Sequence, residues 1–176
     1  MYRRCALGIA ILFVWSVTLR GGEVDLKQFT SKEGKFSVLL PKDATTRIQS
    51  VDTALGKLKA TMTTKEHDGV AYAAVYTDFP AEKVKKFDVD KSLDGARDGS
   101  VKNVGGKLID EKKITIGKAK YPGRELLIRV QDGKLWMRQR IYMVKLRQYQ
   151  VVMVGPEKSV KDTSAEKFFQ SFELRE

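Results

Sequence analysis

Between Phe36 and Val154 the apolar residues fall into short runs closed by a proline or an Asp-Gly pair, and one stretch breaks that rhythm with helical spacing. Runs of that length, stopped by those residues, read as strands, and hairpin-length connections between them join antiparallel neighbours. The clearest case runs from Leu58 to Glu66. Leu58, Ala60 and Met62 point one way while Lys57, Lys59, Thr61, Thr63 and Lys65 point the other, a period of two that describes a half-buried strand. His67-Asp68-Gly69 supplies the turn, because Asp-Gly readily takes the positive φ values that tight hairpins need, and Val70 to Phe79 returns. Phe36 to Leu40 is an earlier strand ended by Pro41, followed by a polar loop. Pro41, Pro80, Pro122 and Pro156 all stand at the ends of apolar runs, where a missing N–H breaks no ladder.

The helical stretch is Asp88 to Val104, where Leu93, Ala96, Ser100 and Val104 recur at spacings of three and four and Gly105-Gly106 follows the end. Leu108 to Ile116, Arg124 to Val130, Leu135 to Val144 and Tyr149 to Val154 then read as a second series of strands, with Asp132-Gly133 as another hairpin. Thr163-Ser164-Ala165-Glu166 matches a capping box, with Thr163 as the cap of a short helix carrying Phe168, Phe169 and Phe172. A stub from Phe172 to Leu174 follows. This order of strands, helix, longer meander and short helix predicts an α+β fold, an antiparallel sheet flanked by helices.

The N-terminus adds a different pattern. Arg3 and Arg4 precede an uncharged stretch from Cys5 to Leu19, and Arg20-Gly21-Gly22 follows, the three-part form of a secretory signal peptide. The stretch is shorter than the roughly 20 apolar residues a membrane-spanning helix needs. Residues 1–22 are therefore expected to be a signal peptide and 23–176 one exported domain, periplasmic or extracellular, with retention of the segment as an anchor as the alternative. Cys5 is the only cysteine, so cleavage leaves a chain without disulfides, thiol nucleophiles or cysteine-based zinc ligands. Cleavage also removes Arg3, Arg4 and Arg20, lowering the formal charge from +11 to +8.

Several phrases occur together in a familiar order: Phe36-Ser37-Val38-Leu39-Leu40-Pro41, Leu93-Asp94-Gly95-Ala96-Arg97-Asp98-Gly99, Tyr121-Pro122-Gly123-Arg124-Glu125, and Arg140 to Val144 through Tyr149 to Pro156 before a helix and Ser171-Phe172. In that order they resemble the PsbP-like α/β/α sandwich, seen also in DcrB-type exported bacterial envelope proteins and in a Ran-binding nuclear import factor. The resemblance implies a domain of that fold over nearly all of 23–176. Its members are mostly non-enzymatic binding or assembly subunits, and no functional residue carries over from them.

No catalytic, cofactor or metal constellation stands out. His67, the only histidine, sits at a hairpin tip, where its neighbours Glu66 and Asp68 point to the opposite face from it and do not build a triad or a metal cage. Asp90, Ser92, Asp94, Gly95 and Asp98 mimic part of a calcium loop, but Val101 stands where a bidentate Glu belongs, and an acidic helix start explains the same residues. Gly95 and Gly99 are unfavourable inside a helix, lie away from Leu93 and Val104 on a helical wheel, and point to close approach of another backbone, or to a partner surface. The strongest feature is basic. From Arg124 to Arg147 seven Arg or Lys stand against Glu125 and Asp132. If Leu135, Met137 and Ile141 face the core, Trp136, Arg138, Arg140 and Tyr142 share the opposite face, near Arg129 and Lys134. Arginines interleaved with aromatics suit an anion or a partner. The competing expectation is a helix-covered face on which Arg138 and Arg140 pair with carboxylates such as Asp94 or Asp98. The sequence thus suggests a non-catalytic exported domain with no cofactor, binding an envelope protein or, alternatively, an anionic polymer rather than a specific nucleic acid.

Overall fold

A computed structural model of the chain describes residues 24–53, 56–83, 88–130 and 133–175. The expected signal peptide lies outside them. Ten strands and three α-helices follow in the order β1 (Leu26–Ser31), β2 (Phe36–Pro41), β3 (Thr45–Thr53), β4 (Gly56–His67), β5 (Val70–Asp78), α1 (Val89–Asn103), β6 (Lys107–Ile116), β7 (Tyr121–Arg129), β8 (Trp136–Val144), β9 (Arg147–Gly155), α2 (Glu157–Lys161), α3 (Thr163–Gln170) and β10 (Glu173–Leu174). Seven strands form one sheet in the order β3-β4-β5-β9-β8-β7-β6, and β1-β2-β10 form a second, small one. All described pairings are antiparallel. The fold is the expected α+β class.

The large sheet is covered on both sides. On one, α1 lays Leu93 and Ala96 over Leu126, Ile128, Met137 and Ile141. Gly99 and Ser100 lie on the same buried side, so Gly99 belongs to the packed face and does not lie away from it. On the other, α2, α3 and the small sheet bring Phe36, Val38, Leu40, Phe168 and Phe169 against Tyr72, Ala74, Val151 and Met153. Central strand β5 is therefore buried at every position from Val70 to Thr77, its alternate side chains divided between the two clusters. At the β4 to β5 turn Asp68 and Gly69 have φ of 48° and 73°, the conformation predicted for that pair.

Four elements depart from the sequence reading, the first being strand β1, which has no counterpart in it. The polar stretch after Pro41 contains β3, which pairs with β4 from Thr45 to Thr53. It is an edge strand, exposed over most of its length, with Ile48 68% exposed, so no apolar alternation marks it. Helix α3 is capped by Asp162, whose side chain accepts from the Ala165 N–H at 2.8 Å, and not by Thr163. Aspartate one residue earlier reaches the same free donors, which leaves Glu166 available for other partners. The short helix α2, entered through Pro156, has no counterpart in the reading. The second hairpin falls partly outside the described residues; Gly133 there has φ of 73°.

Candidate functional site

The β8 alternation holds: Arg138, Arg140 and Tyr142 share the face opposite Met137 and Ile141. That face is not open. Helix α3 lies over it and lowers Glu166 onto both guanidiniums, while Glu125 reaches them from the neighbouring strand β7. Arg138 Nη2 donates to Glu125 Oε1 at 3.0 Å and to Glu166 Oε2 at 2.6 Å. Arg140 donates to Glu125 Oε2, to Glu166 Oε1 at 3.2 Å and to the Phe169 carbonyl at 3.1 Å. Both guanidinium carbons lie over the Phe169 ring, at 4.7 and 5.3 Å from its centroid. Two cations and two carboxylates thus form a closed, neutral square.

The partners of these arginines are not Asp94 or Asp98, which sit on α1 across the sheet. There Arg97 pairs with Asp94, Asp98 and Glu111, and Arg124, only 6% exposed, reaches Asp90 at 2.8 Å and Glu111 at 3.2 Å. Helix α1 therefore uses the acidic residues of the calcium-like stretch as ion-pair partners. Of the other predicted residues, Trp136 is half-buried with the Lys161 ammonium 4.4 Å from its ring centroid, Tyr142 stacks at 6.0 Å on Phe172, and Arg129 and Lys134 are exposed at the far end of β7 and β8. The six residues do not form one surface.

Electrostatics follow the geometry. The hydrogen bond from Arg138 holds the Glu166 carboxyl below its ordinary 4.5, burial opposing, with both arginine charges helping. Burial works against the Arg140 charge, yet the Glu125 hydrogen bond and charge raise its pKa further. Because the folded Glu166 pKa lies below the unfolded one, the carboxylate adds stability above about pH 4.5 that is lost as pH falls through the folded value. Glu166→Gln is accordingly expected to lower the melting temperature at neutral pH, with the gap narrowing as pH falls below 4.5 and through the folded value. Thermal unfolding by circular dichroism across that range checks this; a gap constant with pH contradicts it.

A site that the sequence reading missed lies at the end of the sandwich opposite Arg129. A groove of about 1060 Å³ opens there between the β1 to β2, β6 to β7 and β8 to β9 turns and β10. Phe79, Ile116, Leu146, Phe172 and Leu174 supply apolar wall, and five Lys or Arg to two carboxylates line it. Arg147 is held by Asp78 in two hydrogen bonds of 2.6 and 2.7 Å, donates to the Glu33 carbonyl, and lies over Tyr76, which fixes one wall. Tyr149 donates to the Gly34 carbonyl at 2.7 Å and ties the first turn to the large sheet. The signal available in sequence was only the lysines at three separate turns.

A third feature is internal. Gln139 Nε2 donates to Gln150 Oε1 and Gln150 Nε2 to Gln148 Oε1, both at 2.8 Å, in a chain of buried amides on the α1 side of β8 and β9. Among the described residues its outer atoms, Gln139 Oε1 and Gln148 Nε2, have no hydrogen-bond partner, and neither do the hydroxyls of Thr77 and Ser92. Thr77 stands opposite Gln148 across β5 and β9. Among the described residues no group of three or more His, Cys, Asp or Glu is placed to hold a metal, and no helix is long and apolar enough to cross a membrane.

The overall architecture is similar to a solved structure, that of cyanobacterial PsbP (CyanoP) from Synechocystis, at a TM-score of 0.54 over 87% of this chain and 94% of that one. The fold is PsbP-like. Identity to that protein is 11%, so the likeness is one of architecture. A protein of unknown function from Pseudomonas aeruginosa is more distant, with a TM-score of 0.44 and 11% identity over 80% of this chain and 90% of that one. No family model matches the sequence, and no curated protein matches it.

Proposed function

We propose that this PsbP-like chain is a non-catalytic, exported domain that binds or helps assemble an envelope protein, in the manner of the DcrB-type proteins it resembles in sequence order. The observation that supports this reading best is the use of its buried charges: Arg124, Arg138 and Arg140 are consumed by Asp90, Glu111, Glu125 and Glu166 in structural pairs. Such pairing holds helices to a sheet and leaves those groups unsuited to proton transfer. The N-terminal pattern of Arg3, Arg4, the uncharged stretch and Gly21-Gly22 supports export to the periplasm or the exterior. The alternative of an anionic polymer held on the Arg124 to Arg147 face is weakened by the neutral square, and retains, among the described residues, the exposed Arg129, Lys134 and Lys145.

The test is crosslinking of the full-length protein in the envelope of its own cells, with N-terminal sequencing of the recovered chain. A reproducible crosslinked protein and a new N-terminus near Glu23 are expected. Recovery of the chain with Met1 in the cytosolic fraction and no partner would overturn the reading.

A further inference from the structure

The groove at the end of the sandwich has a property that neither volume nor lining explains. Among the described residues, five that are not glycine have positive φ. Asp43 and Asp68 lie at the turns of the opposite end, and aspartate tolerates that conformation. The other three, Lys35, Lys120 and Lys145, with φ of 52°, 50° and 55°, stand one in each of the three turns around the groove; Lys35 and Lys145 line it themselves, and in the β6 to β7 turn the lining lysine is Lys118, two residues before Lys120. Asn or Gly relieves the backbone at such positions, and lysine does not. All three are exposed, as is Lys118, and among the described residues none of the four has a carboxylate partner. Three turns remote in sequence thus converge to hold unneutralised ammonium groups around an apolar floor formed by Phe79, Ile116, Leu146, Phe172 and Leu174.

Resting on the reading of the chain as a binding domain, we propose that this groove receives an acidic segment of a partner protein, in which an aromatic or aliphatic side chain is flanked by carboxylates. Charge complementarity selects this occupant over the nearest ones. The chain's own residues 1–22 carry Arg3, Arg4 and Arg20 and no acid, so the rim repels them. A second copy brings a formal charge of +11. A lipid tail needs an uninterrupted apolar channel, whereas Asp78, Arg147, Glu173 and Arg175 interrupt this lining with charge at intervals, which suits a chain of alternating polar and apolar side chains. The Asp78–Arg147 pair and the Tyr149 anchor hold the wall before the segment arrives, so little ordering accompanies binding.

Lys35→Asn, Lys118→Gln and Lys145→Asn together remove the charge with residues that accept the local backbone, so the triple variant is expected to fold with unchanged or higher melting temperature. The probe is a fluorescein-labelled peptide, Asp-Glu-Phe-Asp-Asp-Leu-Glu, titrated into the full chain and followed by fluorescence anisotropy. The expected result is saturable binding weakened about tenfold in the triple variant, as three exposed charge contacts imply, and by raised salt. Replacing Phe and Leu of the peptide by Ala is expected to weaken it too, while Arg129→Gln and Lys134→Gln at the other end leave it unchanged. Equal binding by the triple variant, binding indifferent to the apolar residues, or binding to phosphatidylglycerol vesicles in place of the peptide overturns the assignment. An envelope partner crosslinked equally well by the triple variant removes the groove and leaves the broader reading standing; absence of any partner removes that reading.

Discussion

Glu125→Ala is expected to destabilise the protein by about 3 kcal/mol, because removing one partner of a buried ion pair leaves charge without compensation in a poorly solvated place. Glu125 is the carboxylate that touches both Arg138 and Arg140 from within the sheet, and all three side chains are only 14 to 15% exposed. Glu166 remains in the variant but is 39% exposed on α3, and its two oxygens cannot replace four. With a urea dependence of about 2 kcal/mol per molar, the unfolding midpoint should fall by about 1.5 M. The same physics makes a second result opposite in sense. Glu125→Leu combined with Arg138→Met and Arg140→Leu removes both cations and the buried carboxylate of the square, leaving only Glu166, which is 39% exposed, and is expected to lie within about 1 kcal/mol of the native chain, because desolvation and attraction largely cancel in such clusters. If the single change shifts the midpoint by less than about 0.5 M, the square is solvated and the account of the arginine face fails.

That square also shows how far the residues alone could lead. Period-two alternation in β8 correctly separates Met137 and Ile141 from Arg138, Arg140 and Tyr142, since geometry along one strand is local. Which carboxylates would meet the arginines depends on which helix lands on which face, and that is tertiary. Asp94 and Asp98 belong to α1 and the opposite side; Glu166 came free only because Asp162, not Thr163, caps α3. Gln139, Gln148 and Gln150 are a second case. The sequence reading assigns them no role, yet the central strands are covered on both sides and the amides are buried at 1 to 3% exposure, satisfying one another in part.

The unread strand β3 and the unread groove have different causes. Strand β3 holds its place by ladder hydrogen bonds to β4 along its whole length and buries little, so composition carries almost no trace of it. The groove draws on residues near positions 35, 78, 117, 145 and 174, which sequence separates and the hairpins bring together. A lysine in a left-handed turn is invisible without coordinates. The α+β class, by contrast, was legible from Pro41, Asp68-Gly69 and the Leu93 to Val104 spacing, because each is a local physical requirement.

Phe36→Ala is expected to cost about 4 kcal/mol and to loosen the small sheet before the large one. Phe36 is 1% exposed and lies where β2 meets everything else: Phe172 at 5.3 Å, Tyr149 at 6.0 Å, Phe29 at 6.1 Å and Tyr76 at 6.3 Å between ring centroids. Strands β1 and β10 reach the rest of the fold through β2, and β10 contributes only two residues, so the side chains of β2 are the main attachment of that sheet. A cavity at Phe36 removes aromatic contacts on both sides of the junction at once and leaves α1 and its cluster untouched. Native-state hydrogen exchange should therefore show amides of β1, β2 and β10 opening at lower free energy than those of β5 and β9, a separation smaller in the unmodified chain. Leu93→Ala, a comparable loss on the α1 side, should lower global stability without that separation. Uniform loss of protection across both sheets in Phe36→Ala would mean that they open as one unit. In that case the turn carrying Lys35, which β2 fixes beside the groove, would be no more mobile than the rest of the fold.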